Sequence, residues 1–188
     1  PDLTEVIKDV NSFNPHFVHL QYDDYLPLLD YLKCPHKAAT CHYAYLEQPA
    51  KHGAYSQVFN YYNRVPCYVF ALSEGIKKTF MLLKGIPEEN VFVTPNGARN
   101  DLFRFDENCS KPNTSIYLAK IDYRKRQHLF QGKAMNIDFA GNHADDRFDI
   151  NSPEYLGEWD KEYLYNNLTN YANMILLSDG EAHSLSCL

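Results

Sequence analysis

Short apolar runs alternate with helical stretches along almost the whole chain, and this rhythm limits the fold more than any single motif. Phe17-Val18-His19-Leu20, Lys37 to Cys41, Cys67 to Leu72 and Val91-Phe92-Val93 read as strands. After a polar stretch over 99–114 the rhythm restarts with Ser115 to Ala119, Asn136 to Gly141, a short Tyr155-Leu156-Gly157 and Asn173 to Ser178. Strands apolar on both faces and separated by helices form parallel sheets covered by helices, an α/β architecture. Several boundaries carry their own signals. Asp23-Asp24 offer N-caps, with Pro27 in the first turn of a helix to Leu32. Residues 54–64 have a helical period. Ser73 caps a helix that stops at Gly85. Arg124-Lys125-Arg126 opens a helix through Phe130, and Asp160 caps one reaching about Tyr171.

Composition narrows the function. The 188 residues are 45% apolar and 14% aromatic, which excludes simple disorder. A net charge of −6 argues against a phosphate-neutralising nucleic-acid binder. No apolar run is long enough to span a bilayer. Five cysteines (Cys34, Cys41, Cys67, Cys109, Cys187) are an odd number with no C-x-x-C pair, so neither a disulfide framework nor a zinc knuckle is expected. Reduced, mostly buried thiols in the cytoplasm fit this usage, with a peripheral place at a membrane surface as the alternative. The chain opens on Pro1 and ends inside an apolar run at Leu188, and a fragment of a longer protein is expected.

Parallel sheets bind ligands beyond the carboxyl ends of their strands. Residues just after each strand are therefore the candidates. Lys120 leaves a strand end and Lys125 stands near the next predicted helix start. Two ammonium groups beside a helix N-terminus form an anion site suited to a diphosphate, with a solvated basic turn as the alternative. In Ser178-Asp179-Gly180-Glu181-Ala182-His183-Ser184 a strand ends in a glycine turn. Its N–H groups can meet phosphate or sugar oxygens and Glu181 can accept from sugar hydroxyls; otherwise Glu181 is a helix-start acid. His42 follows a strand end as a base or sugar ligand, or as a structural histidine. No metal-binding pattern stands out, and Asp145-Asp146 reads as a solvated pair.

Taken together, these segments resemble the retaining nucleotide-sugar glycosyltransferases of GT-B fold, the large group whose C-terminal domain carries two glutamates separated by seven residues. Val91 to Ala98 and Leu102-Phe103 are similar to the end of that family's N-terminal domain. Ile116 to Leu129 is similar to its phosphate loop, Ile137 to Gly141 to the following strand, and Tyr155 to Trp159 to the segment beside the donor base. Ala172 to Leu188 is similar to the glutamate-bearing segment. The resemblance implies two incomplete Rossmann-like domains: 1–108 as the second half of an acceptor-side domain, and 109–188 as the first part of a donor-side domain.

It also implies sugar transfer, with retention, from a nucleotide-diphosphate donor to a glycan or lipid-linked acceptor, without nucleic acid and without a metal or other cofactor. Lys120, where the family has arginine, and Lys125 would hold the diphosphate. The N–H groups of Ala182, His183 and Ser184, which replace Gly-Phe-Gly, would assist. Glu181 and His42 would face the transferring sugar, and Glu158 and Trp159 would lie near the base. The second glutamate would follow Leu188. Uncovered strand edges would favour self-association. A nucleotide-sugar hydrolase or epimerase of the same fold, and a catalytically silent interaction domain, are the competing readings.

Overall fold

A computed structural model describes residues 2–42, 60–62, 64, 66–97, 101–102, 107–181 and 184. The chain divides into two compact units, one built mainly from Pro1–Asn96 and the other from Gly97–Gly180. Each contains a wholly parallel sheet, as the apolar strands predict.

The first unit runs α1 (Leu3–Phe13), β1 (Phe17–Leu20), β2 (His36–Cys41), β3 (Tyr68–Ala71), α2 (Glu74–Lys84) and β4 (Val91–Val93). Its strands lie side by side in chain order, β1-β2-β3-β4. Asp2 caps α1, accepting the Thr4 N–H at 2.9 Å. The α2 signals act as the sequence implies. Ser73 accepts the Ile76 N–H, and Gly85 closes the helix in the left-handed region at φ 64°. Ile76 and Phe80, one turn apart, put one face of α2 into the core with Val69, Ala71, Ala39, Cys41 and Val91. Residues 60–62 and 64 are helical, and the rest of the predicted 54–64 helix lies outside the described residues.

Three expectations fail here. Asp23-Asp24 do not cap an α-helix to Leu32, because Asp23–Asp30 is a 3₁₀ helix without a side-chain cap. Asp23 is instead buried and accepts a hydrogen bond from the Tyr62 hydroxyl. The sheet is also not apolar on both sides. Its second face carries His19, Thr40 and Phe70, and Phe17 and Phe92 on that face remain 46% and 45% exposed. Finally, of the four cysteines described, all free, only Cys41 is buried; Cys34, Cys67 and Cys109 are half-buried.

The second unit runs β5 (Lys111–Leu118), β6 (Ile137–Ala140), α3 (Lys161–Asn167) and β7 (Tyr171–Met174). The spatial order is β6-β5-β7. The chain therefore moves from β5 to one side and later returns to the other. β5 starts inside the stretch read as a polar linker, so only part of 99–114 is loop. Tyr117, Phe139 and Phe148 form the buried aromatic centre, with ring centroids 6.1 Å and 5.3 Å apart. Tyr155 pairs with Phe139 as an isolated bridge rather than a strand. The chain there is held by Phe139 N–H to Glu154 C=O and Gly141 N–H to Gly157 C=O bonds. α3, capped by Asp160, ends at Asn167 and passes through a 3₁₀ turn into β7 at Tyr171. β7 itself ends at Met174, earlier than the apolar run suggests, although Ile175 N–H still reaches Ile116 C=O at 2.9 Å.

The predicted helix from Arg124 to Phe130 is absent. Residues 123–126 form turns and only Gln127–Leu129 is helical, as a single 3₁₀ turn. Asp122 explains part of this. Its side-chain Oδ1 and its backbone carbonyl both accept the Lys125 N–H, at 3.0 Å each, and this local turn competes with an α-helix. Arg126 then adopts φ 60°, a left-handed conformation that interrupts a helix.

Candidate functional site

In the second unit the strand order reverses at β5, the point beyond whose carboxyl ends open parallel sheets place their ligand crevice. Two loops lie there: 119–126 after β5 and 175–180 after β7. They are joined at several points. The Asp179 N–H donates to Arg124 C=O at 2.9 Å, and Arg124 Nη1 donates to Gly180 C=O at 2.7 Å. The Arg126 guanidinium pairs with the Asp179 carboxylate. Beneath them the buried Tyr117 hydroxyl donates to Lys125 C=O and accepts the Leu177 N–H at 2.9 Å.

The loop after β5 is supported from β6 as well. Gln127, fully buried, donates from Nε2 to Lys120 C=O at 3.0 Å. Gly141, at the end of β6, has φ 149°, and a side chain there would overlap the Ala119 carbonyl. Only glycine lets the two strand ends approach so closely. Ile121 N–H bonds to Asn142 C=O and Ala144 N–H to Ile121 C=O, both at 2.8 Å, continuing the pairing past the regular strands.

The predicted basic loop and the predicted glycine turn are thus brought together. Lys120 is exposed at the loop and Lys125 is 8% exposed. Glu181, half-buried, follows the tethered Gly180 directly. Ala182 and His183 lie outside the described residues; Ser184 is half-buried. The helix N-terminus invoked for this site is not there, so the loops offer side-chain charge and turn N–H groups rather than an aligned helix dipole. Glu158 accepts from Asn142 Nδ2 at 3.2 Å, beside the end of β6. Trp159 packs against Tyr163 of α3 and Tyr171 at the amino-terminal start of β7, with centroids 5.2 Å and 6.3 Å away.

Asp145 is not the solvated acid expected from the sequence. It is 6% exposed, and the Arg147 guanidinium grips it with two bonds of 2.8 Å. Those bonds, with the weaker influence of His128 3.4 Å away, hold its carboxyl down to about 2. This cluster braces the 121–148 connection. Among the described residues no group of three or more His, Cys, Asp or Glu is placed to hold a metal ion.

In the first unit His42 is exposed just past β2. A second histidine, which the sequence reading did not single out, lies in β1. His19 Nε2 is 2.7 Å from Thr40 Oγ1 and its Nδ1 is 3.0 Å from Gln21 Nε2. The Gln21 amide donates to Nδ1, so Nε2 carries the hydrogen and donates to Thr40. Burial, aided by the nearby His42, pushes the His19 pKa below its ordinary value. Ser73, another strand-end candidate, spends its oxygen on capping α2.

Tyr117 and Arg124 also escaped the sequence reading. Tyr117 looks like one more strand aromatic, and only the fold shows that its hydroxyl reaches two loops.

No protein-family model matches the sequence, and no curated protein matches it. Solved structures do match in shape. The lipopolysaccharide outer core galactosyltransferase WaaB, in its apo form, is 15% identical over 98% of this chain, with a TM-score of 0.66. HepE from Anabaena, solved with UDP and glucose, is 12% identical over 96% of the chain at 0.71. TarM of S. aureus, in complex with fondaparinux, alpha-GlcNAc-glycerol and UDP, is 12% identical over 96% at 0.69. The chain spans 56%, 57% and 41% of those structures, respectively. These neighbours are GT-B glycosyltransferases, and the likeness gives this chain their fold: α/β, Rossmann-like, with parallel sheets.

Proposed function

We propose that this chain is part of a glycosyltransferase that takes a sugar from a nucleotide-diphosphate donor, and that its second unit receives the donor diphosphate. One observation carries the reading: the loops after β5 and β7 meet at the point where the strand order reverses, bringing a lysine-bearing loop and a glycine turn to one crevice. In chemical terms, departure of a nucleoside diphosphate places negative charge on a pyrophosphate oxygen. Preorganised donors at that oxygen lower the barrier, about 3–4 kcal/mol for a key donor. Lys120 and Lys125 supply positive charge, and the N–H groups of Ala182, His183 and Ser184 supply uncharged donors. Glu181 accepts from sugar hydroxyls. His42 acts on the transferring sugar, and Glu158 and Trp159 serve the base.

The neighbours' ligands support UDP as the first nucleotide to try: HepE is solved with UDP and with UDP-glucose, and TarM with UDP. The proposal divides the chain at 108/109 into acceptor-side and donor-side parts, and it includes retention of configuration and a glycan or lipid-linked acceptor. Calorimetric titration of the chain with UDP, ADP and GDP tests the binding step. One nucleotide is expected to bind, and Lys125→Ala to weaken it. No binding of any of the three removes the reading in favour of a silent interaction domain. Where a nucleotide binds, incubation of its sugar conjugate with and without glycan acceptors, followed by analysis of the anomeric product, separates transfer with retention from hydrolysis.

A further inference from the structure

We propose that Tyr117 is the positioning residue of this site: its hydroxyl fixes the spacing between the lysine loop and the glycine turn, and so sets the affinity for the donor diphosphate. The inference rests on the nucleotide reading above and adds to it the residue that sets the crevice. Tyr117 is fully buried in β5 and its ring stacks on Phe139. Its single hydroxyl makes one bond as donor, to Lys125 C=O, and one as acceptor, from Leu177 N–H. A phenol can do both at once, and a phenyl ring of the same shape can do neither.

The ion pair between the loops is of a different kind. Arg126 and Asp179 are 43% and 33% exposed, so salt and water weaken their pair. The Tyr117 bonds lie in the core, where removing one partner leaves a buried carbonyl and a partly buried N–H unsatisfied. Tyr117 therefore supplies a link less sensitive to solvent than that ion pair. It touches no substrate atom in this account; it acts through Lys125 and through the chain leading into Glu181.

The test compares Tyr117→Phe with Phe148→Leu, which disturbs the same aromatic core but bonds to neither loop. UDP affinity is measured by calorimetry, and amide hydrogen exchange follows residues 122–126 and 175–180. Tyr117→Phe is expected to raise exchange in those two segments and to weaken UDP binding about tenfold, the loss of one to two buried hydrogen bonds. Phe148→Leu is expected to lower the melting temperature while leaving UDP affinity within twofold. Should Tyr117→Phe fold poorly, an amide-to-ester replacement at Leu177 removes the N–H while keeping the side chain, and is expected to weaken binding similarly.

Equal UDP affinity in wild type and Tyr117→Phe overturns the proposal, as does an equal loss in Phe148→Leu. Wild type that binds no nucleotide overturns the functional reading itself. The exchange pattern then still decides the structural claim: unchanged protection at 122–126 and 175–180 in Tyr117→Phe refutes the link.

Discussion

The two sheets are both parallel, yet they treat their strand ends differently. In the first, neighbours in sequence are neighbours in space, β1-β2-β3-β4, so every crossover steps the same way. Its strand-end residues serve local purposes: Ser73 caps a helix, and Thr94 N–H extends the pairing to Ala71 C=O at 2.8 Å. In the second, β5 sits between β6 and β7, and the loops leaving β5 and β7 are bonded to each other. There a phenol, two guanidiniums and a carboxylate cross-tie the backbone. The two sheets thus differ where the order reverses: there the loops after neighbouring strands hold each other.

The sharpest way to break this contrast is Gly141→Ala. A methyl group would overlap the Ala119 carbonyl, and φ 149° is itself strained for alanine. A loss of about 3 kcal/mol is expected in chemical denaturation, with the second unit's signal moving and the first unit's staying in place. A shift of both signals would show that the units unfold together. Next comes Lys125→Ala, expected to weaken UDP binding by roughly tenfold or more, because a charged partner of phosphate is lost. Calorimetry checks it, and the same substitution at Lys37 in the first unit should change nothing.

In the first unit, Tyr62→Phe leaves the buried Asp23 carboxylate short of a donor and is expected to cost about 1–3 kcal/mol in urea denaturation. Ser73→Ala, removing the α2 cap, should cost about 1 kcal/mol and leave nucleotide binding untouched.

The mildest effect concerns acid. The Asp145 carboxyl is held at about 2 in the folded chain, chiefly by Arg147, below the ordinary unfolded value near ~3.9. Its contribution is complete above the unfolded pKa and fades as pH falls through the folded one. Asp145→Asn should therefore flatten the loss of stability between about pH 4 and 2, as seen in acid titration by circular dichroism.

Local signals were legible wherever a residue acts on its own neighbourhood. Ser73, Gly85 and Asp160 mark helix ends through bonds spanning a few residues, and the β4 run Val91–Val93 is bounded correctly for the same reason. The alternation of apolar runs gave the parallel sheets. Failures occurred where a distant or competing contact decided. The Arg124 helix was lost to an Asp122 turn and a left-handed Arg126, neither visible as periodicity. Asp23 was drawn away from capping by Tyr62, 39 residues on. In the candidate site, Lys120 and Glu181 were singled out because they follow strands, and Lys125 because it stands near a predicted helix start. Tyr117 and Arg124 were not, because their partners come from another loop 60 and 56 residues further along.

Arg126 has one more implication. A non-glycine residue in the left-handed region costs about 1 kcal/mol, and here the same side chain supplies the grip on Asp179. Glycine at this position would relax the backbone and let go of the opposite loop in one step. The variant with the more relaxed backbone would carry the more loosely joined loops, so a gain at one residue's backbone would loosen the alignment between two segments.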